Sequence, residues 1–153
     1  MKRIVLTIVL LLFVGSAWAA GGPKGFGLGL IIGEPTGPSF KAWLSSKSAI
    51  DGAAAWSLDK KNALHLHADY LLHNFTAIKV EKGSLPIYFG IGGRIRFEED
   101  NDDDIIGVRF PVGLEYYPAE TPLGIFIEAV PVLDLAPDTD FDMEGAIGIR
   151  YFF

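Results

Sequence analysis

Apolar and polar residues alternate with a period of two through most of the chain, and this pattern constrains the fold more than any other feature. Side chains on a β-strand point alternately to opposite faces, so the pattern predicts strands with one apolar and one more polar face. Clusters of turn-forming residues separate the alternating segments. The segments predict eight strands, at 25–33, 38–46, 49–58, 63–73, 85–97, 106–117, 123–134 and 141–153.

The more polar face of these strands carries ionisable side chains of both signs. Five are basic, five are acidic and three are histidines, while the opposite face carries no charge. Isolated charges inside a narrow barrel would cost several kcal/mol each, and equal numbers of each sign allow them to pair. The ionisable residues of this face are Lys41, Asp51, His65, His67, Asp69, His73, Arg94, Arg96, Arg109, Glu115, Glu128, Glu144 and Arg150.

These two faces favour a barrel that turns its charges inward and its apolar side chains toward lipid. Strand number and length fit as well, because membrane barrels use even numbers of strands of about 9 to 11 residues. The predicted fold is all-β, an eight-stranded antiparallel up-and-down transmembrane β-barrel with a salt-bridged interior and no open pore. Glycines at positions 25, 27, 29, 90, 92, 107, 113 and 148 share the charged face and leave room for long side chains. A soluble lipocalin-like ligand-binding barrel, with the apolar face inside, is the alternative fold.

Three prolines fall within or at the start of predicted strands, at Pro86, Pro111 and Pro131. Proline has no N–H group to give to the hydrogen-bond ladder of a sheet. We therefore expect bulges or strand ends at these positions.

The N-terminal residues match the three regions of a secretory signal peptide. Lys2 and Arg3 precede an apolar stretch from Ile4 to Val14, and small residues follow up to Ala20. We predict a signal peptide at 1–19 and a single barrel domain at 20–153.

Without Lys2 and Arg3, the chain has 11 basic and 19 acidic residues, a net charge of −8 that argues against nucleic-acid binding. Cysteine is absent, so no disulfide contributes to stability, and no cofactor is expected.

The last predicted strand, from Glu144 to Phe153, alternates apolar residues and ends on an aromatic residue. It resembles the C-terminal signature of outer-membrane barrels, and the mature chain is similar to the small OmpA/OmpX-like superfamily. The resemblance implies location in the bacterial outer membrane, recognition of Phe153 by the barrel assembly machinery, and contact with outer-membrane lipids and lipopolysaccharide. The segments 33–37, 40–43 and 67–70 resemble an uncharacterised spirochaete-type family of small barrels. These resemblances imply membrane insertion and in some members adhesion, with no catalytic residues carried over.

His65, His67 and Asp69 lie two residues apart on one strand face, so the two histidines could supply two ligands to zinc. The interpretation we favour is a set of polar groups inside the barrel, and no metal is predicted. His67 and Asp69 together with Ser57 could instead form a hydrolytic triad, as in outer-membrane barrels that modify lipid A. No nucleophile motif surrounds Ser57, so this enzyme is the alternative, and no catalytic activity is predicted.

The run from Glu98 to Asp104 places six carboxylates in seven positions between two predicted strands. Divalent cations such as Ca²⁺ bind several oxygen ligands, but the run lacks the spacing of an EF-hand loop. We favour a solvated loop on the outside of the cell, with bound divalent cations as an alternative. The sequence thus predicts a structural or cell-surface interaction role in the outer membrane.

Overall fold

The computed structural model describes residues 25–56, 63–98 and 104–153, and the regular structure in these ranges is entirely β-strand. No helix in these ranges is long and apolar enough to cross a bilayer. The predicted signal peptide at 1–19 lies outside the described residues. The strands are β1 (Phe26–Gly33), β2 (Gly37–Trp43), β3 (Ser48–Trp56), β4 (Ala63–Asn74), β5 (Ile87–Glu98), β6 (Ile105–Arg109), β7 (Val112–Tyr116), β8 (Leu123–Ala136) and β9 (Asp140–Phe152).

The nine strands form one antiparallel sheet that closes into a ring. Strands that are consecutive along the chain pair with each other, except β6 and β7, which both lie between β5 and β8. The first and last strands complete the ring through a register that runs from Gly27 opposite Phe152 to Gly33 opposite Ala146. The all-β, antiparallel part of the prediction is therefore confirmed.

Nine strands are found where the sequence predicted eight, because the predicted strand 106–117 is interrupted at Phe110 and Pro111. Pro111 accepts a hydrogen bond from Gly90 N–H at 2.9 Å, and Pro131 accepts one from Phe110 N–H at 2.9 Å. Neither proline has an N–H group to donate in return, so the sheet loses hydrogen bonds both to β5 and to β8 near Phe110 and Pro111. The register with β5 and with β8 continues across the break, so β6 and β7 occupy one position in the ring.

The charged faces of the strands point into the ring, and the apolar faces point outward. Leu28, Ile91 and Val112 are 48%, 54% and 51% exposed, whereas Arg94 and Glu128 are buried. The interior of the ring is therefore polar, which is the reverse of the arrangement expected for a soluble lipocalin-like barrel.

The two ends of the ring differ. We call one end the base, where the connections 44–47, 75–86 and 117–122 lie, and the other end the mouth, where 34–36 and 137–139 lie. The long connection 75–86 is held against the base by two hydrogen bonds, from Ser84 N–H to Tyr117 O at 3.0 Å and from Tyr117 N–H to Ser84 O at 2.8 Å. The connections 75–86 and 117–122 are therefore paired with each other at the base.

Candidate functional site

The interior of the ring is the candidate site, since it gathers the ionisable residues that the sequence analysis singled out. All of them are buried, because they occupy the inward positions of their strands. They are Lys41, Asp51, His65, His67, Asp69, His73, Arg94, Arg96, Arg109, Glu115, Glu128, Glu144 and Arg150.

Aromatic side chains close the interior at the base. Trp43, Tyr117 and Phe152 are buried together, with Phe75 packed against them. The ring centroids of Trp43 and Tyr117 lie 6.2 Å apart, and those of Tyr117 and Phe152 lie 5.7 Å apart. This aromatic cluster separates the charged interior from the solvent at the base.

Lys41 lies next to the aromatic cluster and is completely buried. Its Nζ forms an ion pair with Glu115, lies 2.7 Å from His73 Nε2 and donates to the Tyr117 hydroxyl at 3.2 Å. The same ammonium group lies 4.7 Å from the centre of the Trp43 ring, within cation–π range. A buried ammonium is thus neutralised by one carboxylate and surrounded by rings.

Arg150 links several strands across the middle of the interior. Its Nη2 donates to Asp51 Oδ2 and to Ser39 Oγ, both at 2.9 Å. Its Nη1 lies 3.8 Å from Glu115 Oε1, and the guanidinium carbon lies 4.1 Å from the centre of the Phe126 ring. One side chain of β9 therefore contacts groups on β2, β3, β7 and β8.

Arg109 makes the next set of contacts toward the mouth. Its Nε donates to Asp69 Oδ1 at 3.0 Å, its Nη1 pairs with Glu144, and its Nη2 lies 3.8 Å from Glu128 Oε1. Glu128 also accepts a hydrogen bond from the Tyr88 hydroxyl at 2.8 Å. Arg109 therefore lies close to three carboxylates, which offsets part of the cost of burying these charges.

Arg94 forms the densest cluster, nearest to the mouth. Its Nε and Nη2 donate to the two oxygens of Asp134 at 3.0 and 2.6 Å, which is a bidentate pair. It also pairs with Glu144, and its Nη2 lies 3.2 Å from Asp142 Oδ2. Arg96 Nη2 lies 3.5 Å from the same Asp142 oxygen. Arg94 and Arg96 thus form ion pairs with three carboxylates, those of Asp134, Asp142 and Glu144.

Asp134, Asp142 and Tyr88 also contact the interior network, although they are not among the residues predicted for it. Asp134 is the last residue of the predicted strand 123–134 and Asp142 is the second residue of the predicted strand 141–153, but neither was counted among the charges of the polar face. Asp134 lies six residues after Glu128 on β8, and Asp142 lies two residues before Glu144 on β9. Residues an even number of positions apart on a strand face the same side, so both aspartates face inward with these glutamates. Continuing the alternation to the strand ends would have identified them.

His65 and His67 lie side by side in the interior, with ring centroids 5.4 Å apart in an edge-to-face arrangement. His65 Nδ1 lies 3.8 Å from Glu144 Oε1, and His67 Nε2 lies 4.0 Å from Asp69 Oδ2. In the described ranges no three carboxylate, histidine or cysteine side chains are grouped closely enough to hold a metal ion. Ser57, the third member of the alternative hydrolytic triad, lies outside the described residues.

A cavity of about 330 Å³ opens at the mouth. Arg96, Asp134, Asp142 and Glu144 line its inner part, and Glu34 and Asp138 line its rim. Asp104 is exposed in the strand connection nearby, while residues 99–103 of the predicted acidic loop lie outside the described ranges. Binding of divalent cations at Glu98 to Asp104 stays a prediction.

Comparison with known proteins gives no match: no protein-family model fits the chain, and no curated protein or solved structure is significantly similar to it. The resemblance to OmpA/OmpX-like and spirochaete-type small barrels therefore stays a prediction.

Proposed function

We propose that this chain is a small outer-membrane β-barrel protein with a structural or cell-surface interaction role and a filled, salt-bridged interior. The observation that carries the proposal is the inversion of the ring, with charges buried inside and large apolar side chains outside. Such an inversion is the arrangement expected of a strand barrel whose solvent is lipid.

The extent of the outward apolar surface supports a lipid environment. In the described residues, 24 large hydrophobic side chains are exposed, among them Ile32 at 69% and Phe141 at 64%. Soluble monomers rarely expose contiguous apolar patches larger than a few hundred Å². A surface of this kind in water would favour aggregation, whereas acyl chains would cover it at no such cost.

The height of the apolar surface also suits a bilayer. The outward side chains of β9 run from Phe141 to Tyr151, ten residues further along the strand. At about 3.4 Å per residue and the usual tilt of about 40°, they cover roughly 26 Å along the barrel axis. Membrane barrels have an apolar band about 25 Å tall, so β9 is long enough to span one.

The filled interior argues for a role other than transport. Arg94, Arg109 and Arg150 cross the ring, and the aromatic cluster of Trp43, Phe75, Tyr117 and Phe152 closes the base. A narrow barrel filled in this way has no continuous water path. The proposed contacts are therefore with lipid at the outward face, with the barrel assembly machinery at Phe153, and with surface components at the loops.

Two measurements on the full chain, expressed in a Gram-negative host, test the proposal. We expect the protein in the outer-membrane fraction after washing with alkaline carbonate. We also expect the unheated, detergent-extracted protein to migrate differently on an SDS gel from the boiled protein, because a closed barrel stays compact until heated. Recovery of folded protein in the soluble periplasmic fraction would overturn the proposal.

A further inference from the structure

We draw no further inference here: the strongest candidate, the cavity of about 330 Å³ that Glu34, Asp134, Asp138, Asp140, Asp142 and Glu144 line at the mouth of the ring, is a cluster of acidic residues, and no second observation in the described ranges points to a ligand there.

Discussion

At the residue scale, the charged interior is held together by basic side chains that each contact several acidic or polar groups on different strands. Arg94 contacts carboxylates of β8 and β9, and Arg150 contacts groups of β2, β3 and β7. A buried charge that loses its partner is costly, since neither water nor another group replaces the lost interaction. Single substitutions in this network should therefore have much larger effects than substitutions of exposed charges.

Arg94→Met should lower the free energy of unfolding by about 3 to 5 kcal/mol, because it leaves Asp134 without its bidentate partner and Glu144 with Arg109 but no longer Arg94. Arg94→Lys keeps the charge but loses the bidentate geometry, so we expect an intermediate loss. Urea unfolding of the refolded barrel in detergent micelles, followed by heat-dependent gel migration, measures both effects. As a matched control, Lys79→Met removes an exposed charge and should change stability by no more than about 0.5 kcal/mol. Equal midpoints for Arg94→Met and Lys79→Met would contradict the role of the network.

Lys41 and Glu115 should be energetically coupled, because both are fully buried and form an ion pair. We expect Lys41→Met and Glu115→Gln each to cost about 3 kcal/mol, since Glu115→Gln leaves Lys41 without a carboxylate and Lys41→Met leaves Glu115 with only the more distant Arg150. The double variant should cost less than the sum of the two by at least about 1 kcal/mol. A double-mutant cycle from the same unfolding experiment measures the difference, and strict additivity would show that the pair contributes nothing specific.

At the element scale, glycine determines whether neighbouring side chains fit inside the ring. Gly92 of β5 faces inward, and a Cβ there would overlap Ala68 O and Asp69 Oδ1 on β4. Gly93 faces outward, and a Cβ there would meet only Gly107 O at 3.7 Å. Two adjacent glycines on one strand therefore have opposite constraints.

Gly92→Ala should destabilise the barrel by about 1 to 3 kcal/mol, because backbone of β4 would have to move to remove the overlap. Gly93→Ala serves as the matched control on the same strand. It should be neutral or stabilising by up to about 1 kcal/mol, since alanine has less backbone entropy to lose on folding. The urea midpoints of the two variants measure these effects. A greater loss of stability in Gly93→Ala than in Gly92→Ala would mean that the inward and outward faces of β5 are assigned incorrectly.

Most of the elements follow from local sequence, whereas the contacts inside the ring do not. Alternation placed β1, β4, β5, β8 and β9 to within a few residues, because each strand has one apolar and one polar face. The break between β6 and β7 lies at Pro111, one of the three prolines at which the sequence predicts a bulge or a strand end. The sequence does not show that Pro131 of β8 lies opposite Phe110 at this break, because that pairing depends on the register of the sheet.

The same limit applies to the site. Parity along the strands identified which charges face inward, as Lys41, Arg109 and Glu144 illustrate. The choice of partners could not be predicted, because Arg150 reaches Ser39 and Asp51 across the closed ring over large sequence separations. Those pairs depend on closure of the ring and on the length of each side chain.

At the scale of the whole molecule, the proposal requires that the surroundings of the ring change with height, from acyl chains at the middle to water at the ends. Two outward residues of β8 test this at nearly equal exposure. Ile127 is 53% exposed near the middle of the outward face, and Leu135 is 52% exposed near the mouth. In water the two positions would tolerate a charge equally well.

Ile127→Lys should therefore lower the free energy of unfolding in phospholipid vesicles by about 2 to 4 kcal/mol, the cost of a lysine near the bilayer midplane. Leu135→Lys is the control and should cost only about 0 to 1 kcal/mol, because its ammonium group lies close to the interface. Unfolding by guanidinium, followed by tryptophan fluorescence, gives both values in the same vesicles. Equal costs at the two positions, or a more soluble and equally stable Ile127→Lys protein without lipid, would show that water rather than lipid surrounds the ring.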